Sequence, residues 1–267
     1  MMNNIFSKLG ILLAFSFFVL FSVSESYAKH KKLLVVTVTK GYKHQSIPVL
    51  EKVIEELGKS GGKFTVDYAR TDEDLAVKMN AAGLQGYDGV IFASTTGDLP
   101  LPSMEAFLNW IRAGGAFIGI HAATDTFKEN QPYYEMIGGT FLAHGPQLKV
   151  TLNNNDQKHA ATENFDKSFE IFDEIYTFKN FNREKTHILL SLDKNPNQND
   201  KENFNKAGFY PIAWCHNYGK GRVFYTALGH REDVIQSESF KKHLLGGILW
   251  ALKQAKGSAK PQVKSNK

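Results

Sequence analysis

The chain has 267 residues, 42% of them hydrophobic and 22% charged, with a single cysteine and a formal charge of +5 at pH 7. One cysteine excludes an internal disulfide framework, so the fold must be held together by its apolar core. The basic excess is local: the last fifteen residues carry Lys253, Lys256, Lys260, Lys264 and Lys267 and no acid, and with these and the lone Lys and Glu of the N-terminal segment set aside, the body is formally neutral. Its basic residues form no stripe interleaved with aromatics, so no nucleic-acid footprint is expected.

Lys8, the apolar run 9–23 and Ser26-Tyr27-Ala28 have the layout of a secretory signal peptide cut after Ala28, which predicts a periplasmic or extracellular address. The run is shorter than the roughly 20 apolar residues of a membrane-spanning helix, and no later stretch approaches that length; an uncleaved anchor is the alternative. Residues 29–252 are expected to form one α/β domain. Residues 253–267 are expected to be a disordered basic tail, with weak contact to an anionic surface as the alternative.

Residues 33–39 are almost continuously apolar and β-branched, as for a strand covered on both faces. A helix over 46–59 follows, with Ser46 available as N-cap and Pro48 in the first turn. The spacing then predicts a strand at 64–70, a helix at 72–79, a strand at 89–93, a helix at 101–112 and a strand ending at His121. This alternation is that of a flavodoxin-like, doubly wound, mainly parallel sheet with helices on both faces. Beyond it come strands at 147–152, 169–178 and 187–192 and a polar excursion at 195–205. A hairpin of 211–216 and 222–228 around Asn217-Tyr218-Gly219-Lys220-Gly221 precedes a closing helix at 240–252. Gly219-Lys220-Gly221 is a turn, since no helix follows it to make a phosphate loop.

Four histidines stand at strand exits: His44, His121, His144 and His230. Such exits converge on one crevice in an open α/β sheet. Gathered there, imidazoles point to a metal or proton-transfer site. Strand alternation puts Glu174 on the face of Phe172, Tyr176 and Phe178, where desolvation would raise its pKa unless a cation or metal offsets it; a solvated edge-strand charge is the alternative. Asp125 could cap the helix near Gln131 or orient His121. No site role is expected for His30, His159, His187, His216 or His243, the last facing solvent or neighbouring lysines. Trp110, Trp214 and Trp250 are expected in the core.

Six ordered motifs carry a resemblance to a known family: Gly41-Tyr42-Lys43-His44, the run from Gly115 to His121, Phe141-Leu142-Ala143-His144-Gly145, Asp173-Glu174-Ile175-Tyr176, Pro211-Ile212-Ala213-Trp214, and the run from Gly219 through Tyr225 to Gly229-His230. Together they closely resemble the ThuA-like family, named for trehalose utilisation, over roughly 33–252. The resemblance implies a fold like that of class I glutamine amidotransferases, whose elbow carries a cysteine. Here the elbow holds His121 and Cys215 lies far off, so amidotransferase chemistry is disfavoured. It also implies a functional link to oxidoreductases that make 3-keto-glycosides. The expected role is therefore an exported enzyme, a lyase, hydrolase or isomerase, acting on a keto-glycoside or related sugar. Within that reading His121 and Glu174 are catalytic, Tyr42 and Asp125 bind substrate, and His44, His121, His144 and His230 hold a divalent metal, zinc or manganese. The alternatives are a non-catalytic carbohydrate-binding protein and a structural partner of an oxidoreductase. His230 is followed by Arg231-Glu232-Asp233 where relatives often place an acid directly, which leaves open whether Glu232 or Asp233 replaces it.

Overall fold

The computed structural model describes residues 30–262; the expected signal segment, 1–28, lies outside the described residues. Eleven strands and six α-helices are present among them. The first half of the chain supplies β1 (Lys31–Val36), α1 (Ile47–Gly61), β2 (Phe64–Ala69), α2 (Asp72–Lys78), β3 (Gly89–Ala93), α3 (Met104–Ala113), β4 (Ala116–Ile120) and α4 (Gln131–Ile137). The second half adds β5 (Thr140–His144), β6 (Leu148–Asn154), β7 (Ser168–Asp173), β8 (Tyr176–Lys179), β9 (His187–Lys194), β10 (Ala207–Tyr218), β11 (Gly221–Thr226), α5 (Glu232–Gln236) and α6 (Glu238–Ala251).

Nine strands make one sheet in the order β2-β1-β3-β4-β11-β10-β9-β6-β7. The run β2-β1-β3-β4-β11 is parallel throughout, the flavodoxin-like order, and its strand order reverses direction between β1 and β3. Beyond β11 the sheet continues antiparallel through β10, β9, β6 and β7. β5 and β8 pair as a separate ribbon.

The expected alternation therefore holds where both faces are covered. β3 and β4 are buried along their whole length. On one face α6 packs closely: a Cβ at Gly247 would meet the Phe224 ring at 2.3 Å, so only glycine lets this helix approach β11. On the other face α3 and α4 touch each other, and Phe92, Phe107, Phe117 and Tyr133 stack between helices and sheet. Trp214 and Trp250 are fully buried, as expected, and Trp110 packs partly buried against the core. No helix among the described residues is long and apolar enough to cross a membrane.

Several expectations are corrected. Ser46 precedes α1 but its hydroxyl makes no cap and is buried without a partner among the described residues. His243 does not face solvent; it is wholly buried, with Nδ1 2.6 Å from the Ala161 oxygen and Nε2 3.0 Å from Thr226 Oγ1. The tail is not loose as far as it is described. Ala160 N–H donates to the Lys256 oxygen (3.1 Å), Trp250 Nε1 to the Gly257 oxygen (3.1 Å) and His187 Nδ1 to the Lys260 oxygen (2.6 Å). Its lysines hid this, because the contacts are made by its backbone.

Candidate metal centre

The parallel strands deliver three imidazoles to one end of the sheet. The loop after β1 carries His44 and is pinned to the exit of β3, where Lys40 N–H donates to the Thr96 oxygen (2.8 Å) and Thr96 Oγ1 to the Tyr42 oxygen (2.9 Å). β4 ends at Ile120, and the next residue, His121, has a φ of 48° that places a non-glycine residue in the left-handed region, at a cost of about 1–2 kcal/mol. Tyr225 OH, donating to the His121 backbone oxygen at 2.7 Å, holds that turn. Beyond β11, Gly229 takes a φ of 106° and sets the corner before His230.

Glu174 arrives by a route that alternation does not predict. The expected strand 169–178 breaks into β7, in the main sheet, and β8, in the ribbon, with Glu174 at the break. Phe172 is exposed while Glu174 and Tyr176 are buried, so these residues do not share one face. Released from the ladder, the carboxylate reaches three imidazoles: Oε2 lies 3.2 Å from His230 Nδ1 and 3.5 Å from His121 Nε2, and Oε1 lies 3.2 Å from His144 Nδ1.

One ligand atom each from His44, His121, Glu174 and His230 falls within 4.8 Å of the others. His121 Nδ1 donates to the Ala227 carbonyl at 2.7 Å, which leaves the Nε2 lone pair facing the cluster. His44 is buried and its Nδ1 has no partner among the described residues. Burial first, then the neighbouring His121 and His230 rings, push the His44 pKa down to about 3, so its ring is neutral. For Glu174, burial alone would raise the pKa, but hydrogen bonds with His121 and His230 outweigh it and hold the carboxyl well below its usual range. The His230 pKa is raised, chiefly by its bond to Glu174. The neutral, orphaned ring of His44, the ionised carboxylate of Glu174 and the rings of His121 and His230 form a donor set that fits a divalent ion such as zinc or manganese, which would displace the proton that His230 Nδ1 shares with Glu174.

His144 does not join this group. Its Nδ1 is turned to Glu174 and to the Gly145 oxygen (2.8 Å), and its side chain is 42% exposed. Asp125 neither caps α4 nor touches His121: Asn130 is the cap, and Asp125 pairs with Lys128 at 2.9 Å. Tyr42 is 64% exposed and stands edge-on to His44 at 4.9 Å, beside a cavity of about 570 Å³ that His44 and His230 also line. Of the two acids after His230, Asp233 is engaged by the Arg231 guanidinium (2.8 and 2.9 Å) and Glu232 lines the same cavity; neither enters the cluster.

Two residues escaped sequence reasoning. Asp173, fully buried, accepts backbone N–H bonds from Gly229 (2.8 Å), Arg231 (3.1 Å) and Glu174 (3.0 Å), and so ties the His230 loop to the Glu174 break. Tyr176 lays its ring against His121 at 4.4 Å. Both lie in the Asp173-Glu174-Ile175-Tyr176 motif, whose adjacent acids inside an apolar run were the available signal, but neither was given a role of its own.

The family model for ThuA, described as trehalose utilisation, matches residues 32–251, and the chain belongs to this family. Crystal structures of ThuA-like proteins from Parabacteroides merdae and Bacteroides uniformis are similar. The first has a TM-score of 0.69 at 20% identity, covering 88% of this chain and 96% of that one. The second has 0.66 at 21%, covering 88% and 98%. A β-galactosidase of Bacillus circulans shares the fold over 88% of this chain and 32% of its own, with a TM-score of 0.50 at 12% identity. Comparison with curated proteins gives no match.

Proposed function

We propose that this chain is an exported carbohydrate-processing enzyme that acts on a keto-glycoside or related sugar derivative at the His/Glu cluster. The observation that carries the reading is the convergence of His44, His121, Glu174 and His230, from four separate segments, on one ion-sized space. The description of the family as trehalose utilisation supports a sugar as substrate. The N-terminal sequence supports a periplasmic or extracellular address.

A divalent ion held by His44, His121, His230 and Glu174 would supply Lewis acidity at a sugar carbonyl. The chain's own groups account for the remainder. Ala227 fixes the His121 tautomer. Asp173 holds the backbone on which His230 is mounted. Tyr42 stands at the mouth to receive a sugar face. His144, outside the ligand group and partly exposed, has Nδ1 on Glu174 and on the Gly145 oxygen, which leaves the lone pair of its other ring nitrogen to take a proton from the carbon beside the carbonyl. Loss of the C1 substituent, isomerisation and hydrolysis all use these parts. The keto group itself would be installed by a partner oxidoreductase acting on the parent glycoside.

The test is elemental analysis of protein purified without added metal, followed by a screen of 3-keto-glycosides. Near-stoichiometric zinc or manganese with turnover that is lost in His121→Ala supports the reading. Saccharide affinity with neither metal nor turnover would replace it with a non-catalytic binding protein.

A further inference from the structure

The nine-stranded sheet ends on β2 at one side and on β7 at the other. An edge strand offers its outward backbone N–H and C=O groups to another chain unless something blocks them. At β2 they are blocked. Asp67 Oδ1 accepts from the Tyr68 N–H (2.8 Å), and the Lys78 ammonium, 3.1 Å from the same carboxylate oxygen, bonds the Tyr68 backbone oxygen.

The β7 edge is open. Asn154 N–H donates to the Lys167 oxygen (3.0 Å), and from that pair the β6–β7 register runs without a shift from Asn153 opposite Ser168 to Leu148 opposite Asp173. Bonded and non-bonded pairs alternate along an antiparallel ladder, so Phe169, Ile171 and Asp173 bond to β6 while Ser168, Glu170 and Phe172 turn their backbone groups outward. Among the described residues no side chain or loop meets those outward groups. The strand carries no proline and no bulge, and Phe172 is 44% exposed.

Charge selects the partner and the register. Two copies of this edge can pair antiparallel about a two-fold axis, and because opposite residues share a face, the axis runs through a residue. With the axis at Glu170, two carboxylates would stand directly opposite each other, which is destabilising. With the axis at Ile171, Glu170 faces Phe172 of the partner subunit. The Phe172 ring carries the Arg231 guanidinium 4.7 Å from its centre and has Lys149 as its neighbour on β6, so an acid meets a cationic platform on both sides of the axis. Glu170 and Phe172 are both outward residues, so they exchange backbone bonds in both directions, and the half-buried Ile171 side chains cover each other. Within its own chain Glu170 already meets Lys149 at 2.6 Å, which holds the carboxylate on that face.

We propose that β7 is a self-association edge: two copies of this chain pair β7 to β7 with Ile171 on the two-fold axis, which joins their sheets and sets the Asp173–Glu174 break of each chain beside the partner subunit's Ser168. Sedimentation equilibrium of the purified protein should show a reversible monomer–dimer equilibrium with a Kd on the order of 1–100 μM, the range of a small interface. Glu170→Pro removes an outward N–H and spares the bonds to β6, and it should stay monomeric. Glu170→Gln should weaken association roughly 2- to 30-fold, because a cross-strand charge contact is lost on each side of the axis, whereas an axis at Glu170 predicts tighter association. Ile171→Cys should form a disulfide-linked dimer in air, since a non-hydrogen-bonded pair sets Cα atoms about 4.5 Å apart, within disulfide reach. Cys215 is wholly buried and does not compete. Glu170→Cys, facing Phe172 and not its own copy, should not cross-link. A parent that is monomeric throughout, a dimer that survives Glu170→Pro, tighter association of Glu170→Gln, or cross-linking of Glu170→Cys as fast as that of Ile171→Cys overturns the pairing.

Discussion

His121 Nδ1 lies 2.7 Å from the backbone oxygen of Ala227, the residue just past β11, so the ring at the end of one central strand is held by its neighbour in the sheet. That single bond fixes which nitrogen is free. Replacing the ring should therefore abolish metal retention while sparing the fold. In His121→Gly, relief of the left-handed backbone, about 1–2 kcal/mol, offsets part of the lost packing. Metal content by mass spectrometry should fall to background, with melting close to that of the metal-stripped parent. Retention of parental metal content would remove His121 from the ligand group.

Asp173 acts on His230 through the backbone. Asp173→Asn keeps the shape but replaces an acceptor of three N–H groups with an amide that must turn one donor toward them. The expected cost is about 1–3 kcal/mol of stability and a roughly 10- to 100-fold loss of metal affinity, as when an outer support of a metal ligand is removed. Competition with a chromogenic chelator reads the affinity, and unchanged competition would confine Asp173 to folding alone.

The parallel half of the fold was legible because its central strands, covered on both faces, are nearly all apolar, and the exits of β1, β4 and β11 lead to histidine. The position of Glu174 was not. Period-two alternation assumes an unbroken strand, whereas the chain changes sheets between Asp173 and Tyr176, and that break is what brings the carboxylate to the imidazoles. His144 was misplaced for a related reason: it does stand at a strand exit, but in the β5–β8 ribbon, so the convergence argument for parallel strands does not govern it. His243 looked exposed beside Lys241 and Lys242, yet its helix turns it toward Thr226.

Acid should destabilise the protein through histidines remote from the cluster. Burial lowers the pKa values of His159, His216 and His243 to about 4. For each, the unfolded chain takes up a proton near 6.5 while the folded chain resists, so the stability contribution is full above 6.5 and is lost as pH falls toward 4. Each should cost on the order of 1–2 kcal/mol between pH 7 and 5. Asp173, whose pKa burial raises, opposes this only in the carboxylate range. A melting temperature lower by roughly 10 °C at pH 5 is expected. His243→Gln should make that pH dependence shallower, and an unchanged slope would show that His243 is not one of its sources.

The tail strap makes a prediction that no site assignment touches. Cys215 is wholly buried, with Sγ 3.5 Å from the Ser258 oxygen and 3.6 Å from His159 Nε2, and burial raises its thiol pKa well above the usual value. The strap also receives the Trp250 and His187 donors. Removing residues 253–267 leaves those donors and the Ala160 N–H without their acceptors, at about 1 kcal/mol or more each where water does not replace them. Native full-length protein should resist a thiol-specific reagent, while the truncated chain should label at Cys215 at least about ten times faster, because the opening that exposes the thiol costs less by 1.4 kcal/mol or more. Equal labelling rates would mean that the strap contributes nothing to the closure of this side of the sheet.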